Sequence, residues 1–365
     1  MARAESVDPG YMRALAVGLL AALAGSCTAT AGAATLEISG AGWGHGVGMS
    51  QEGAFGYAEH GYGYQAILAH YYTGTALGSV SQATEVRVLI GGRVHTLPLE
   101  TYVRGVVGAE MPPSWPLAAL EAQAVASRTY ALTAHAGGAH FDVYADTRSQ
   151  VYLGTKAQTS RTDEAVAATA GQVVTYAGQP VITYYFSSSG GLTESVQNAF
   201  AGAAPEPWLR GVPDPYDQGP EHRWSVSMSF ATAAARLHGL VRGAFRGIEV
   251  LRRGYSPRIV AAYVLGSAGR TEVSGPELEA RRGLDDTWAY FSMRTARGVQ
   301  AEPDLSHYVA PAPGVGSPEV PAAPETTGAP PSGPSAPTPT PAVPEGGTVP
   351  AGGAVAGAGG GTTPP

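Results

Sequence analysis

The sequence predicts an α+β domain of short sheets and helices, followed by a disordered C-terminal tail. Three observations carry that expectation. Helical and alternating segments follow one another irregularly and are joined by short hairpins, a pattern unlike a doubly wound parallel sheet. The 365 residues suit one large domain or two small ones, at about 100–200 residues each. Gly (50) and Pro (29) exceed a fifth of the chain, against an average of about 12%, and much of the excess lies at the C-terminal end.

Taken in order, Arg3 and Arg13 bracket the start, residues 14–24 are apolar, and small residues Gly25, Ser26, Ala31, Gly32, Ala33 and Ala34 follow. A positive segment, a short apolar run and a small-residue cleavage site predict a secretion signal over 1–34 and an extracellular or cell-wall location. The apolar run is short of the roughly 20 residues needed for a membrane span. Ala24-Gly25-Ser26-Cys27 loosely resembles a lipobox, but Ala stands where Leu is usual, so plain secretion is preferred to a lipid anchor at Cys27. As the single cysteine, Cys27 excludes an intrachain disulfide framework and a Cys-based structural zinc site.

The expected catalytic domain covers 36–297. Residues 51–60 and 64–72 read as short helices closed by Gly61 and Gly74. Residues 85–90 alternate polar and apolar as a half-buried strand, Gly91-Gly92 turns, and 93–97 returns. Residues 98–107 lead through Val106 and Val107, read as an apolar strand, to Glu110 and the stiff Met111-Pro112-Pro113. Ser114 is expected to cap the longest helix, with Pro116 in its first turn, running to about His135. Gln123, Ser127 and Tyr130 then share one polar face of it. Ser160-Arg161-Thr162-Asp163 opens a helix that closes at Gly171. A hairpin over 172–186 delivers the chain to Ser187-Ser188-Ser189-Gly190-Gly191. Further on come a helix at 230–237, strands at 248–251 and 258–265, and a helix capped by Ser274. In the tail, 302–365, Pro, Gly, Ala, Thr and Ser dominate; such a segment has too little apolar side chain to offset its ordering entropy. It is either a wall-contacting spacer or an inert extension.

A net charge of −7, with no basic run, disfavours nucleic acid as a partner, because that affinity comes from Lys and Arg displacing phosphate counterions. The candidate chemistry lies elsewhere. Glu110, between apolar residues and a rigid corner, suits a general acid whose pKa burial has raised; equally, it suits the dipole of the helix that follows. Gly42-Trp43-Gly44-His45-Gly46-Val47-Gly48 places a glycine at every other position around one His. It lacks the spacing of a phosphate or dinucleotide loop, and reads as a cleft-lining loop or a tight turn with a structural His. Ser187 to Gly191, with Thr193 and Glu194, is a polar loop without a Gly-x-Ser-x-Gly nucleophile; together with Trp115 and Trp208 it suits a neutral hydroxylated ligand such as a sugar, or is a flexible turn. Asp142 and Asp146 supply a second carboxylate or cap turns.

Several stretches in order resemble the SpoIID/LytB family of stage II sporulation protein D. They are Leu97-Pro-Leu-Glu-Thr-Tyr-Val-Arg-Gly-Val-Val-Gly-Ala-Glu-Met-Pro112, Ala122-Gln-Ala-Val-Ala-Ser-Arg-Thr-Tyr-Ala131, Ser149-Gln-Val-Tyr152, Tyr185-Phe-Ser-Ser-Ser-Gly-Gly191, and the glycine block through Gln51 with Ile67-Leu-Ala-His-Tyr-Tyr72. The resemblance implies a secreted lytic transglycosylase whose cleft binds peptidoglycan glycan strands stripped of stem peptides, with Glu110 as acid and base. A wall-binding enhancer of an autolysin or amidase, or a two-carboxylate glycoside hydrolase, are the alternatives. Substrate contacts are expected from His45, Gln51, Gln123, Arg128, Tyr130, Gln150, Tyr152, Ser188, Ser189 and Gly190. A cell-wall amidase acting upstream is the implied partner. No cofactor is expected, and no metal, because Tyr144 and Ser149 occupy without a thiol the region where some members hold zinc. In the sporulation proteins the Gly-His-Gly block lies near the C-terminal end, whereas here it precedes the Glu-Met-Pro block.

Overall fold

The computed structural model describes residues 34–295 and 298–301. The expected secretion signal, but for Ala34, the Cys27 anchor and the tail over 302–365 lie outside the described residues. The chain is α+β. Its first half runs β1 (Thr35–Gly40), β2 (Met49–Ser50), α1 (Gln51–Glu59), α2 (Tyr64–Tyr71), β3 (Ala76–Ser79), β4 (Glu85–Ile90), β5 (Arg93–Pro98), α3 (Leu99–Glu110), α4 (Leu117–Thr133), β6 (Val143–Tyr144) and α5 (Ser160–Ala168). The second runs β7 (Gln172–Tyr176), β8 (Gln179–Pro180), β9 (Tyr185–Phe186), α6 (Val196–Ala199), β10 (Trp224–Ser229), α7 (Phe230–Arg236), β11 (Phe245–Arg253), β12 (Ile259–Gly266), β13 (Gly269–Ser274), α8 (Gly275–Arg282), β14 (Ala289–Thr295) and β15 (Gly298–Ala301).

Two apolar cores organise these elements. The larger gathers side chains of α1 to α5 and their small sheets, among them Tyr57, Ile67, Val103, Val107, Leu120 and Val166. The second gathers Leu36, Ile38, Leu237, Val264, Leu278 and Phe291. Strand β1 belongs to the second: it lies antiparallel between β10 and β14, pairing Ile38 with Val226 and Phe291. The glycine block that follows β1 is therefore held beside the C-terminal elements of the chain, although it is read first.

Residues 99–110 are helical, which corrects the strand reading of Val106 and Val107. Leu99, Tyr102, Val103, Val106 and Val107 are buried, and their spacing of three and four puts them on one face of a helix. The pair of β-branched valines misleads only when read without that longer period. Met111 ends the helix: it stands before Pro112, which disfavours the α region for it, and it takes φ −129° and ψ 142°. Glu110 is thus the last helical residue. Helix α4 begins at Leu117 with Pro116 as its cap residue, so Ser114 does not cap it. Helix α5 is capped one residue earlier than expected, by a box in which Thr159 and Thr162 satisfy each other's backbone N–H groups. The hairpin after β7 closes only over β8; β9 leaves it to pair in parallel with β2.

Candidate active site

Glu110, at the C-terminal end of α3, borders a cavity of about 150 Å³ together with His45, Gln51, Tyr130, Arg148, Tyr184 and Tyr185. Its Oε1 accepts a 2.7 Å hydrogen bond from the Val151 N–H. Gln51 Nε2 lies 3.4 Å from both Oε2 and the Glu110 carbonyl. Burial pushes the Glu110 pKa up, and the Val151 N–H, Gln51 and the Tyr185 phenol pull against it without overcoming it. The negative end of the α3 dipole adds to the upward push. The result is a carboxyl that holds its proton above the ordinary carboxylate range, with anion donors already in place, as a group that must be acid first and base second requires.

Gln51 is delivered by the start of α1. Ser50 caps that helix by accepting the Gly53 N–H at 3.1 Å, and its own hydroxyl donates to Asp217 at 3.0 Å. Helix α1 therefore begins at a fixed point, two residues beyond the glycine block. In that block Gly46 and Gly48 take φ +79° and +78°; a Cβ on Gly46 would strike the Arg258 guanidinium, and one on Gly48 the Tyr184 carbonyl. Only glycine lets the loop pack this closely and turn this way.

His45 borders the same cavity as Glu110. Its Nδ1 accepts the Val47 N–H at 3.1 Å, and its ring contacts Tyr184, Phe186 and Phe200 at centroid distances of 5.2–5.8 Å. Burial first, and the Arg258 charge second, lower its pKa to about 4. The imidazole is accordingly neutral near pH 7, with one nitrogen committed to its own loop. Arg258 in turn is buried against Asp286, at 2.5 Å, and donates to the carbonyls of Leu192 and Ser189. This pair ties the second core to the glycine block.

Of the residues expected to meet substrate, Glu110, His45, Gln51 and Tyr130 border the cavity and the others stand behind it. Gln150 accepts from the Tyr102 hydroxyl at 3.0 Å and donates to the Ser127 carbonyl. Tyr152 stacks on Tyr102 with ring centroids 5.1 Å apart. Gln150 and Tyr152 flank Val151, so their contacts aim its N–H at Glu110. Gln123 is buried and bonded to Ser127 at 2.9 Å. Arg128, fully buried, grips both Glu100 oxygens at 2.7 and 2.8 Å and reaches the Gln172 carbonyl. The Ser188 hydroxyl and Ser189 N–H both donate to Asp217, fixing the loop against α1. Gly190 packs on Ala41 and Gly42 with φ +68°, and its carbonyl accepts from Arg223. Glu194 accepts from the backbone of Ser195, Tyr255 and Ser256, and the Trp208 indole donates to the Ile182 carbonyl. Glu194 is buried framework, and Trp208 packs half-buried against the larger core.

Arg148, Val151, Tyr184 and Phe200 border the cavity without having been singled out by sequence. Val151 lies inside the Ser149–Tyr152 stretch but acts through its backbone, and Phe200 arrives by way of α6, which no local signal announces. Tyr144 and Ser149 bond to each other, the Ser149 hydroxyl accepting the Tyr144 N–H at 3.1 Å. Among the described residues no group of three or more His, Cys, Asp or Glu is arranged to hold a metal, and no helix is long and apolar enough to cross a membrane.

The stage II sporulation protein family model, SpoIID, matches residues 91–176, the stretch that carries Glu110, Arg128, Arg148 and Val151. Over 210 residues the chain is 32% identical to stage II sporulation protein D of Bacillus subtilis, covering 53% of this chain and 60% of that protein. Over these stretches the chain is similar to the SpoIID family. It is also 38% identical over 127 residues to the amidase enhancer of Bacillus subtilis (35% of this chain, 17% of that protein). An uncharacterized protein of Brachyspira hyodysenteriae is 39% identical over 140 residues (38% of each chain). The chain spans less than two thirds of the length of each of these relatives.

Proposed function

We propose that this protein is a secreted peptidoglycan lytic transglycosylase of the SpoIID family that cleaves denuded glycan strands to 1,6-anhydromuramyl products, with Glu110 as its acid and base. The likeness to the stage II sporulation protein family over residues 91–176 and to an amidase enhancer supports a cell-wall-related role. The observation that carries the finer reading is that Glu110 is the only carboxylate bordering the cavity among the described residues. Glycosidases that use water need two carboxylates; a transglycosylase manages with one. Protonated Glu110 gives its proton to the glycosidic oxygen as the bond to C1 of the muramic residue breaks. The carboxylate so formed, held by the Val151 N–H and Gln51, takes the proton of the same residue's 6-hydroxyl. The 6-oxygen bonds to C1, the anhydro ring closes, and Glu110 is again protonated with no water consumed. The raised pKa keeps Glu110 protonated at the start and makes its carboxylate a competent base in the second step, while the donors that stabilise the anion help it release its proton in the first.

Neither candidate for a second carboxylate borders the cavity. Asp142 is paired with Arg87 at 2.6 Å, and Asp146 with Arg148 at 2.7 Å on the surface. This weighs against the hydrolase alternative. The test is Glu110→Gln, which preserves shape but cannot cycle a proton: strand cleavage is lost while melting stays cooperative. A variant that cleaves at the wild-type rate refutes the assignment. The amidase enhancer relative favours one second reading, a wall-binding protein that assists a separate amidase. That reading predicts glycan binding without products, unchanged by Glu110→Gln.

A further inference from the structure

We propose that Arg148 is a specificity-determining residue that reads the carboxylate of the muramic lactyl group, favouring a sugar whose lactyl carboxyl is ionised over one in which it is blocked as an amide. The inference rests on the reading of the cavity as a glycan cleft.

Among the described residues Arg148 is the one permanent cation that borders the cavity, since His45 there is neutral near pH 7. Its guanidinium is held on two sides. Nε and Nη2 donate to the two Asp146 oxygens at 2.8 and 2.7 Å, and the Arg148 N–H donates to Oδ1 at 3.1 Å. One flat face lies over the Tyr144 ring, 3.9 Å from its centroid. The edge carrying Nη1 is bonded to no acceptor among the described residues, and that edge offers the two-pronged geometry that fits a carboxylate.

Side-chain exposures of 55% for Arg148 and 52% for Asp146 make the ion pair a surface one. Such a pair contributes little to stability, but it fixes where the guanidinium stands, which lowers the ordering cost of binding through it. Arg148 precedes by three residues Val151, whose N–H holds the Glu110 carboxyl. The cation thus stands at one end of a short loop whose other end holds the acid. In a muramic residue the lactyl ether hangs from C3 of the ring whose C1 is cleaved, so a ring placed with its glycosidic oxygen at Glu110 carries its carboxylate on a short arm. Asp146 partly offsets the Arg148 charge, so a neutral amide gains little there, while an ionised carboxylate gains a charge-assisted fork.

The experiment uses the full chain carrying Glu110→Gln and two glycan tetrasaccharides of alternating N-acetylglucosamine and N-acetylmuramic acid. In one the lactyl carboxyls are ionised, and in the other they are methylamides. Calorimetry is expected to show the ionised ligand binding on the order of tenfold tighter at low salt, with the gap narrowing as salt screens it. Adding Arg148→Ala should bring the two affinities to within about twofold, Arg148→Lys should retain part of the difference, and neither should move the melting temperature, because exposed pairs stabilise little. Equal affinities in the Glu110→Gln protein, or a preference that survives Arg148→Ala, would overturn the proposal. Wild-type protein that releases anhydro ends from both ligands at equal rates would sink the role of Arg148 and leave the transglycosylase reading standing. Ligands neither bound nor cleaved would remove both.

Discussion

Replacing Gln51 by Met removes the Nε2–H donor from Glu110 while keeping an unbranched side chain of similar length at the start of α1. In the native site that donor lies 3.4 Å from Oε2, a long contact, and it acts on the anion, pulling the Glu110 pKa down. A bond of this kind is worth about 0.5–1 kcal/mol net, so its loss moves the Glu110 protonation equilibrium roughly two- to fivefold towards the acid form. The sign follows from which form is favoured: without Gln51 the anion loses a partner, so Glu110 keeps its proton to higher pH. Because the protonated form begins the proposed reaction, activity falls as pH rises through that pKa, and the variant's alkaline limb should move to higher pH. The assay is kcat/KM on purified glycan strands from pH 4 to 9, which reports the free protein, with melting curves as a control for folding. An alkaline limb that stays in place or moves down would refute the role given to Gln51.

Two further substitutions test the framework. Arg128→Ala leaves Glu100 and the Gln172 carbonyl without their buried partner, at a cost of about 3–5 kcal/mol; calorimetric melting should show a large drop, whereas a native melting temperature with weakened glycan binding would restore Arg128 to the substrate site. Asp214, buried and close to Asp217, has its pKa pushed up to about 7 by burial first and by the Asp217 charge second. Its folded-state value exceeds its unfolded one, so the penalty for ionising it builds as pH rises from 3.8 to about 7, reaching on the order of 4 kcal/mol. Asp214→Asn keeps an acceptor for the Tyr71 hydroxyl and should melt above wild type at pH 8 but not at pH 5. Melting temperatures of the two proteins that run parallel across that range would contradict this.

Local signals were legible where the controlling atoms are near in sequence. The Ser274 cap, its donor at Glu277 and the left-handed Gly283 bound α8 as the residue types require, and the alternation at 85–90 is a strand. Partners distant in sequence were not legible. Nothing around Arg128 points to Glu100, so a buried structural cation read as a substrate contact. Ser188 and Ser189 looked like ligand donors because their acceptor, Asp217, lies well beyond the loop. The placement of β1 between β10 and β14 depends on pairings that span most of the chain, yet it is what brings His45 to the cavity. The buried setting of Glu110 is legible because rigidity and apolar neighbours are written in adjacent residues; the donor that steadies it, a backbone N–H at Val151, has no side-chain signature.

The central claim is that one carboxyl, cycling a single proton, closes an anhydro ring. Mass spectrometry of the products from denuded glycan strands tests it most directly, with wild-type and Glu110→Gln proteins digested in parallel. The wild type should yield 1,6-anhydromuramyl ends and the variant intact strands. Reducing muramic ends would contradict it by requiring an activated water and a second carboxylate, and strands left whole by the wild type would contradict it by removing catalysis altogether.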